Sequence, residues 1–372
     1  SERFEQAGVE LYLKGETAMG WSGDSIEANA EQYATINRYM GEGSLDGQAD
    51  FVLYHAVVDN VLTSGDMGLI HLDHWTWQST QQYAEGAVMV PYIGSHDVPR
   101  FISRADPDAT GVWNQWENVP EETTNPLAFE RWKLAMAWLL TIPGAPMLYA
   151  GDEYAMEGGA DPDNRRMFDA TGNLSEWVGE LGMARASFEP LRRGTYVQLD
   201  AEEEIMAFAR QTADEHVVVV LNRGVESIDL SAHDWLGEMD DILGNAQMNA
   251  GVVEMNGESA AIFVQRELGN QSTNGSQTGN GSENGNQSGN DNGTVSGNNS
   301  TEESPCPMMP CVSCSEGEEA VSSVDENGCT VCTCQTVEEN STSTSGDSTS
   351  SNSIFKDMRW ALLGVIILVV CA

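Results

Sequence analysis

The clearest shortage in this chain is of basic residues. Only 17 lysines and arginines stand against 58 aspartates and glutamates, which gives a net charge of −41 at pH 7. A surface of this sign repels the phosphates of nucleic acids and the anionic faces of membranes. We therefore expect no nucleic-acid partner.

Cysteine and long apolar runs are scarce as well. No cysteine precedes Cys306, and the longest apolar stretch, residues 361–372, is shorter than the roughly 20 residues that span a bilayer. The chain opens on Ser1, without an initiator methionine or a signal peptide. We expect it to be the carboxyl-terminal part of a longer protein, with 354–372 as a truncated membrane anchor.

The first 194 residues alternate short apolar runs with segments of helical period. The runs at 9–14, 49–54, 88–93 and 145–149 predict strands, and 126–141 and 174–191 predict helices. Each apolar run leads into a polar turn, which is typical of buried barrel strands that open into functional loops. Two of these turns begin with a carboxylate, Glu16 and Asp97.

Residues 195–268 follow a different pattern. Apolar runs at 205–210, 217–221 and 260–264, separated by turn residues, predict strands without intervening helices. The pattern indicates a small antiparallel β-sandwich after the barrel.

Taken together, these segments resemble the second half of a catalytic barrel of the alpha-amylase family, glycoside hydrolase family 13. Gly15-Glu16-Thr17 is similar to the acid/base strand of the family. Ser95-His96-Asp97 resembles its "NHD" strand, with serine in place of the usual asparagine. Residues 142–153 resemble the last strand, and 161–165 are most similar to the cyclomaltodextrinase and neopullulanase branch. The resemblance implies the second half of a (β/α)8 TIM barrel over 1–194 and a β-sandwich over 195–268.

The resemblance also implies roles for the strand-end residues. Glu16 would be the general acid/base, and apolar neighbours such as Trp21 and Tyr12 would favour its protonated form. Trp21 would also contact the substrate. Asp97 would stabilise the transition state. His96 would donate a hydrogen bond to the same sugar.

Three further residues have two readings each. Arg100 either contacts the sugar or pairs with strand-end carboxylates. Asp161 and Arg165 either line a neighbouring glucose subsite or form a salt bridge that shapes their loop. We expect Asp152 and Glu153 to be architectural, with their carboxylates accepting backbone or arginine hydrogen bonds.

The family's nucleophile is an aspartate after the fourth strand, and no such strand precedes Glu16. The usual calcium ligands also lie mostly in the half that is absent here, so we expect no cofactor in this segment. The chain alone is therefore expected to be inactive.

The carboxyl-terminal residues predict a tether. Segments 269–304 and 336–353 consist mainly of small polar residues and favour disordered linkers. Between them, 305–335 holds six cysteines, Cys306, Cys311, Cys314, Cys329, Cys332 and Cys334. They are read as disulfides of a small exported module, with a four-thiolate zinc site as the alternative. The ending at 325–334 also resembles antistasin-like repeats.

The combined prediction is an extracellular, surface-anchored hydrolase that cleaves α-glucans such as starch, maltodextrin or cyclodextrin by a retaining mechanism. Two alternatives stay open. One is a non-catalytic glucan-binding or structural surface protein, and the other is a transglycosylase of the same family.

Overall fold

A computed structural model describes residues 12–41, 43–114, 116, 118–170, 174–255 and 257–266, together with two strands near the carboxyl terminus. The predicted linkers and anchor lie outside the described residues, as do residues 9–11 of the first predicted strand. Among the helices that are described, none is long and apolar enough to cross a membrane.

Four short parallel segments form the barrel part of the fold. Strand β1 (Lys14–Gly15) pairs with β2 (Gly47–Gln48). Parallel bridges then join Ala49 to Val90 and Tyr92 to Met147. The four segments therefore lie side by side in chain order, and their carboxyl ends meet at one edge, as in a TIM barrel.

Seven α-helices accompany these segments in the described part of the chain. They are α1 (Ala30–Asn37), α2 (Phe51–Val57), α3 (Leu69–Gln82), α4 (Phe101–Ala105), α5 (Pro126–Thr141), α6 (Ser175–Ser187) and α7 (Glu189–Arg193). A six-residue π-helix, Val58–Thr63, continues α2. Single 3₁₀ turns occur at Glu27–Asn29, Asp152–Tyr154, Asp163–Arg165 and Asp234–Leu236.

The predicted strand at 49–54 is wrong, because the strand there ends at Ala49 and a helix begins at Phe51. The carboxylate of Asp50 accepts a hydrogen bond from the Leu53 amide at 3.1 Å and caps α2. Both α2 and the π-helix are buried among apolar neighbours. A continuous apolar run of this kind fits a buried strand or a buried helix equally well by pattern alone.

The predicted helix at 126–141 is confirmed as α5. Asn125 caps it by accepting a hydrogen bond from the Leu127 amide at 3.0 Å, and Pro126 occupies the first helical position. The predicted helix at 174–191 is divided into α6 and α7 at Phe188. Pro190 cannot donate the hydrogen bond that would continue α6, but it fits the first turn of a new helix.

Two antiparallel sheets follow the helices. Their strands are β3 (Thr195–Ala201), β4 (Ile205–Gln211), β5 (His216–Arg223), β6 (Ser227–Asp229), β7 (Met239–Asp241), β8 (Ala246–Asn249), β9 (Val252–Met255) and β10 (Glu258–Gln265). The larger sheet has the order β3-β4-β5-β10-β7, and the smaller has the order β6-β9-β8.

The larger sheet is buried on both faces. Side chains such as Phe208, Val219 and Ile262 join the core of the barrel helices. Alternate side chains, including Val218 and Phe263, face a second core that also holds Val253 of the smaller sheet. The alternation of strand side chains therefore couples the barrel part to the two-sheet part.

A separate antiparallel hairpin lies near the carboxyl terminus. Strand β11 (Glu318–Val324) pairs with β12 (Thr330–Thr336), and Cys332 and Cys334 stand opposite Ser322 and Ala320. The other predicted disulfide cysteines, at positions 306, 311, 314 and 329, lie outside the described residues. The choice between disulfides and zinc stays a prediction.

Candidate active site

Three of the predicted site residues meet at the carboxyl edge of the parallel strands. One carboxylate oxygen each of Glu16 and Asp97 and one ring nitrogen of His96 lie within 4.8 Å of one another. Glu16 directly follows β1, and His96 and Asp97 follow the strand segment that contains Val90 and Tyr92. The parallel arrangement brings together residues that are 80 positions apart in the chain.

The contacts around this cluster are polar and local. His96 Nε2 lies 3.3 Å from Asp97 Oδ1, and the Asp97 amide donates to Ser95 Oγ at 3.2 Å. Lys14 Nζ lies 4.0 Å from Glu16 Oε2. The side chains of Glu16 and Asp97 are 44% and 57% exposed. Both carboxylates are therefore accessible from solvent.

A small pocket opens beside Glu16 and His96. Aromatic side chains form part of its wall, namely Phe51, Tyr92 and Tyr149, and Met147 and Leu148 add aliphatic surface. Tyr92 stacks on Tyr54 with ring centroids 4.5 Å apart. Burial raises the pKa of Tyr92, with smaller contributions from neighbouring groups, so its phenol stays neutral. The pocket thus combines a carboxylate and an imidazole with apolar ring surfaces.

The same three groups are the one described cluster of acidic, histidine or cysteine side chains close enough to share a metal ion. All three are at least partly exposed, and an exposed carboxylate cluster does not by itself define an ion site. The prediction that this segment needs no cofactor remains a prediction.

Arg100 does not reach this pocket, which corrects its prediction as a sugar contact. Its side chain is 3% exposed and lies 3.3 Å from the Asp152 carboxylate, which is equally buried. The guanidinium also donates to the carbonyls of Ala150 and Asn164 at 2.8 and 2.9 Å. The structure therefore supports the alternative reading, in which Arg100 pairs with a strand-end carboxylate.

The architectural role expected for Asp152 and Glu153 is confirmed. Asp152 accepts a hydrogen bond from the Tyr149 amide at 3.2 Å, and Glu153 accepts one from the Gly151 amide at 2.8 Å. Burial raises the pKa of Asp152 to about 6, against the opposing effect of Arg100.

Asp161 and Arg165 form a salt bridge, with Arg165 Nε 2.7 Å from Asp161 Oδ1. Arg165 also donates to the carbonyl of His96 at 3.3 Å. These contacts support the loop-shaping reading and hold the loop against the active-site strand end. Both side chains are more than a third exposed, so a sugar subsite beside them stays a prediction.

Asn164 is a positioning residue that the sequence interpretation missed. Its side chain is buried and donates to the carbonyls of His96 and Val98 at 2.8 and 2.9 Å. It thereby ties the loop after the fourth strand segment to the backbone that carries Asp97. Its place between Asp161 and Arg165 in one motif was the signal that could have identified it.

Trp21 and Tyr12 are not neighbours of Glu16 in the way that was expected. Trp21 packs edge-on against His71 and Trp75, with ring centroids 5.7 and 5.9 Å apart, and is not among the residues that line the pocket. Tyr12 donates to the Val88 carbonyl at 2.5 Å. That contact lies at the amino end of the strands, opposite Glu16. The predicted substrate contact of Trp21 is therefore not supported.

A comparison with known protein families assigns this part of the chain to a family. Residues 25–208 match the family model described as the alpha amylase catalytic domain. This segment belongs to the alpha-amylase family. Asp97, His96 and the loop at 161–165 lie within the matched range, and Glu16 lies just before it.

Relatives agree with this assignment. The chain is 25% identical over 223 residues to an amylopullulanase of Thermoanaerobacter thermohydrosulfuricus. This alignment covers 56% of this chain and 15% of that protein. It is 29% identical over 145 residues to a cyclomaltodextrinase of Geobacillus thermopakistaniensis, covering 37% of this chain and 21% of that protein. The branch that the motif at 161–165 suggested is thus represented among the relatives.

A solved structure shows the same fold. It is an alpha-amylase from Geobacillus thermoleovorans complexed with acarbose, 27% identical with a TM-score of 0.54. The match covers 69% of this chain and 54% of that one. The match thus spans about half the length of this structure, and 15% and 21% of the lengths of the two relatives above.

Proposed function

We propose that this chain carries the acid/base catalyst and the transition-state stabiliser of a retaining glycosidase that acts on α-glucans. The observation that carries the proposal is the meeting of Glu16, His96 and Asp97 within 4.8 Å at the carboxyl edge of the strands. Catalytic residues of TIM-barrel enzymes occupy this edge.

In the proposed reaction Glu16 protonates the glycosidic oxygen as the bond to the anomeric carbon breaks. A carboxylate nucleophile forms a covalent glycosyl intermediate, and Glu16 then takes a proton from the attacking water. Asp97 favours the positive charge that develops on the sugar ring, and His96 donates a hydrogen bond to a ring hydroxyl. The aromatic wall of the pocket packs against the sugar face.

The nucleophile is proposed to be an aspartate on a strand that precedes Glu16 in the complete protein. The resemblance assigns it there, and the partial coverage of the relatives is consistent with this. Any calcium ligands are proposed to lie in the same preceding part.

The substrate class is proposed from the relatives. The names amylopullulanase and cyclomaltodextrinase, and the acarbose in the related structure, support an α-glucan. A transglycosylase would use the same residues, because the glycosyl intermediate can be attacked by a sugar hydroxyl in place of water. Product analysis with maltodextrin separates hydrolysis from transfer.

The location is proposed from the sequence alone. The predicted linkers, cysteine module and apolar tail support an extracellular protein that is tethered to the cell surface. A carboxyl-terminal tether would leave the barrel free to meet polymeric substrate.

The test is Glu16→Gln in the full-length gene product that contains this chain. General acid/base catalysis contributes about 10²–10⁴-fold, so we expect a loss of roughly three orders of magnitude or more in turnover of maltodextrin. Glu85→Gln, a change at an exposed loop glutamate, is the matched control and should leave the rate unchanged.

Proton NMR of the first-formed product should show the anomer with retained configuration. Near-normal turnover by Glu16→Gln would reject the assignment of the acid/base residue. An inactive wild-type protein that still binds maltodextrin would favour the non-catalytic alternative.

A further inference from the structure

A second cavity lies at the seam between the helices and the larger sheet. Its volume is about 490 Å³, within the range of roughly 300–1,000 Å³ that is typical of small-molecule sites. The π-helix and α5 form one wall, and β5 and β10 form the other. The cavity shares no lining residue with the pocket of Glu16.

The charged groups that line this cavity are balanced. Three are acidic and three are basic, namely Glu130, Glu204, Glu258, Arg131, Lys133 and Arg223. A lining with no large excess of either sign does not favour a strongly charged ligand. It offers both hydrogen-bond donors and acceptors, which suits a neutral ligand with many hydroxyl groups.

Two of the acids form a pair across the seam. The carboxyl groups of Glu130 on α5 and Glu258 on β10 lie close enough to influence each other's protonation. Burial and the neighbouring Glu130 raise the pKa of Glu258 to about 7. Around neutral pH the pair holds a proton for part of the time, so it can donate to a hydroxyl as well as accept from one.

The two arginines are held by backbone carbonyls. Arg131 donates to Ala105 and Ser64 at 2.9 and 2.7 Å, and Arg223 donates to Met67 at 2.7 Å. Nε of Arg223 is buried, lies 3.7 Å from Glu204, and makes no hydrogen bond within the described part of the chain. The Arg223–Glu204 ion pair therefore places one cationic and one anionic group at the cavity wall.

Apolar and aromatic side chains contribute another part of the lining. Leu127 and Leu134 of α5 contribute aliphatic surface, and Trp177 of α6 contributes an indole ring. The indole Nε1 donates to the Lys133 carbonyl at 3.1 Å, which fixes the ring. Fixed aromatic and aliphatic surfaces suit the C–H faces of sugar rings, while charged side chains suit their hydroxyl edges.

We infer that this cavity is a second saccharide-binding site, separate from the active site, that takes a short α-linked glucose oligosaccharide. The choice of α-linked glucose rests on the proposed function, whereas the polyhydroxylated character of the ligand rests on the cavity itself. Binding there would bridge α5, α6 and the larger sheet.

Fluorine NMR tests the inference directly. The full-length gene product is prepared with 5-fluorotryptophan in the Glu16→Gln background, so that the probe is not consumed, and Trp177→Phe assigns the resonance of Trp177. We expect maltotriose to shift this resonance with saturation in the millimolar range. Arg223→Met should weaken the binding at least about fivefold, because it removes a guanidinium that lines the cavity.

The resonance of Trp235, which packs against His216 away from the cavity, is the internal control and should not move. Parallel titrations with soluble starch and cellotriose show whether polymer enters the cavity and whether the α-linkage matters. A Trp177 resonance that maltotriose leaves unmoved would overturn the inference, and an equal response to cellotriose would overturn its α-glucan specification.

Different results would reject the catalytic proposal and the proposal of a second saccharide site. An active wild-type enzyme with a silent Trp177 rejects only the second site. A protein without glycosidase activity, whose Trp177 still responds to maltotriose, rejects only the catalytic proposal.

Discussion

Burial divides the acidic residues at the strand ends into two kinds. Glu16 and Asp97 have exposed carboxylates, and Glu16 lines the pocket. Asp50 and Asp152 are buried and satisfied by the protein. Asp50 accepts hydrogen bonds from Tyr83, Ser79 and the Leu53 amide, and burial raises its pKa. An acidic residue after a barrel strand can therefore be a catalytic candidate, when its carboxylate is exposed, or a structural residue, when its carboxylate is buried and hydrogen-bonded within the protein.

Asp152 gives a pH-dependent prediction. Its pKa is raised from 3.8 to about 6 in the folded protein, so the fold favours the protonated carboxyl. The resulting stabilisation is full below about pH 4 and is lost as the pH rises through about 6. At about 1.4 kcal/mol for each pKa unit, this group lowers the free energy of unfolding by about 3 kcal/mol across that window.

Urea unfolding of the wild type and Asp152→Asn at pH 4 and pH 7 checks this prediction. The variant should lose that part of the pH dependence, although it is less stable at both values because Arg100 stays buried without its partner. Asp169→Asn, at an exposed position, should retain the wild-type dependence. The same dependence in wild type and Asp152→Asn would show that another group titrates there.

Among the elements, α5 lies in the core of the barrel helices and depends on a local cap. The helix is almost wholly buried from Leu134 to Thr141. At its start, Asn125 accepts from the Leu127 amide and donates to Asp108 at 2.7 Å. The cap thus fixes the start of the helix whose side also lines the second cavity.

We expect Asn125→Ala to lower the free energy of unfolding by about 1 kcal/mol, since it leaves a helical amide without its side-chain acceptor. Asn125→Ser keeps a capping oxygen but removes the contact with Asp108, so it should retain most of the stability. Chemical denaturation of the three proteins measures both differences. If the alanine variant is as stable as the serine variant, the capping hydrogen bond contributes nothing measurable to the free energy of unfolding.

For the whole molecule, the parallel strand segments do not close into a barrel within the part of the chain that the structure describes. Within the described residues, β1 pairs only with β2, and Met147 bridges only to Tyr92. Both edges of this small sheet are therefore open, and an open edge offers unpaired backbone groups to further strands. A preceding half-barrel would pair with both.

We expect the chain of 372 residues on its own to release no measurable reducing sugar from maltodextrin, because the proposed nucleophile is not part of it. The full-length gene product, assayed at the same concentration, is the control and should be active. Turnover by the shorter chain that Glu16→Gln abolishes would place the nucleophile within these residues.

The carboxyl-terminal tail gives a second prediction at this scale. From 267 to 355 it holds acidic residues but no lysine or arginine. We expect the six cysteines between 306 and 334 to be oxidised and free of metal in the exported protein. Mass spectrometry after thiol labelling measures this, and six free thiols or one bound zinc would establish the alternative.

The motifs at 15–17, 95–97 and 161–165 were enough to indicate the family and the cluster of Glu16, His96 and Asp97, because each residue of the cluster closely follows a strand in the sequence. The helix at 126–141 could also be predicted, because its apolar period, its asparagine cap and the proline at its first position all indicate a helix. Other roles depended on the tertiary structure. Burial decided that Arg100 pairs with Asp152, and packing on α3 decided that Trp21 stands away from Glu16. The helix at 51–57 and the cavity between α5 and β10 arise from contacts between distant segments, and no local pattern records which faces those contacts cover.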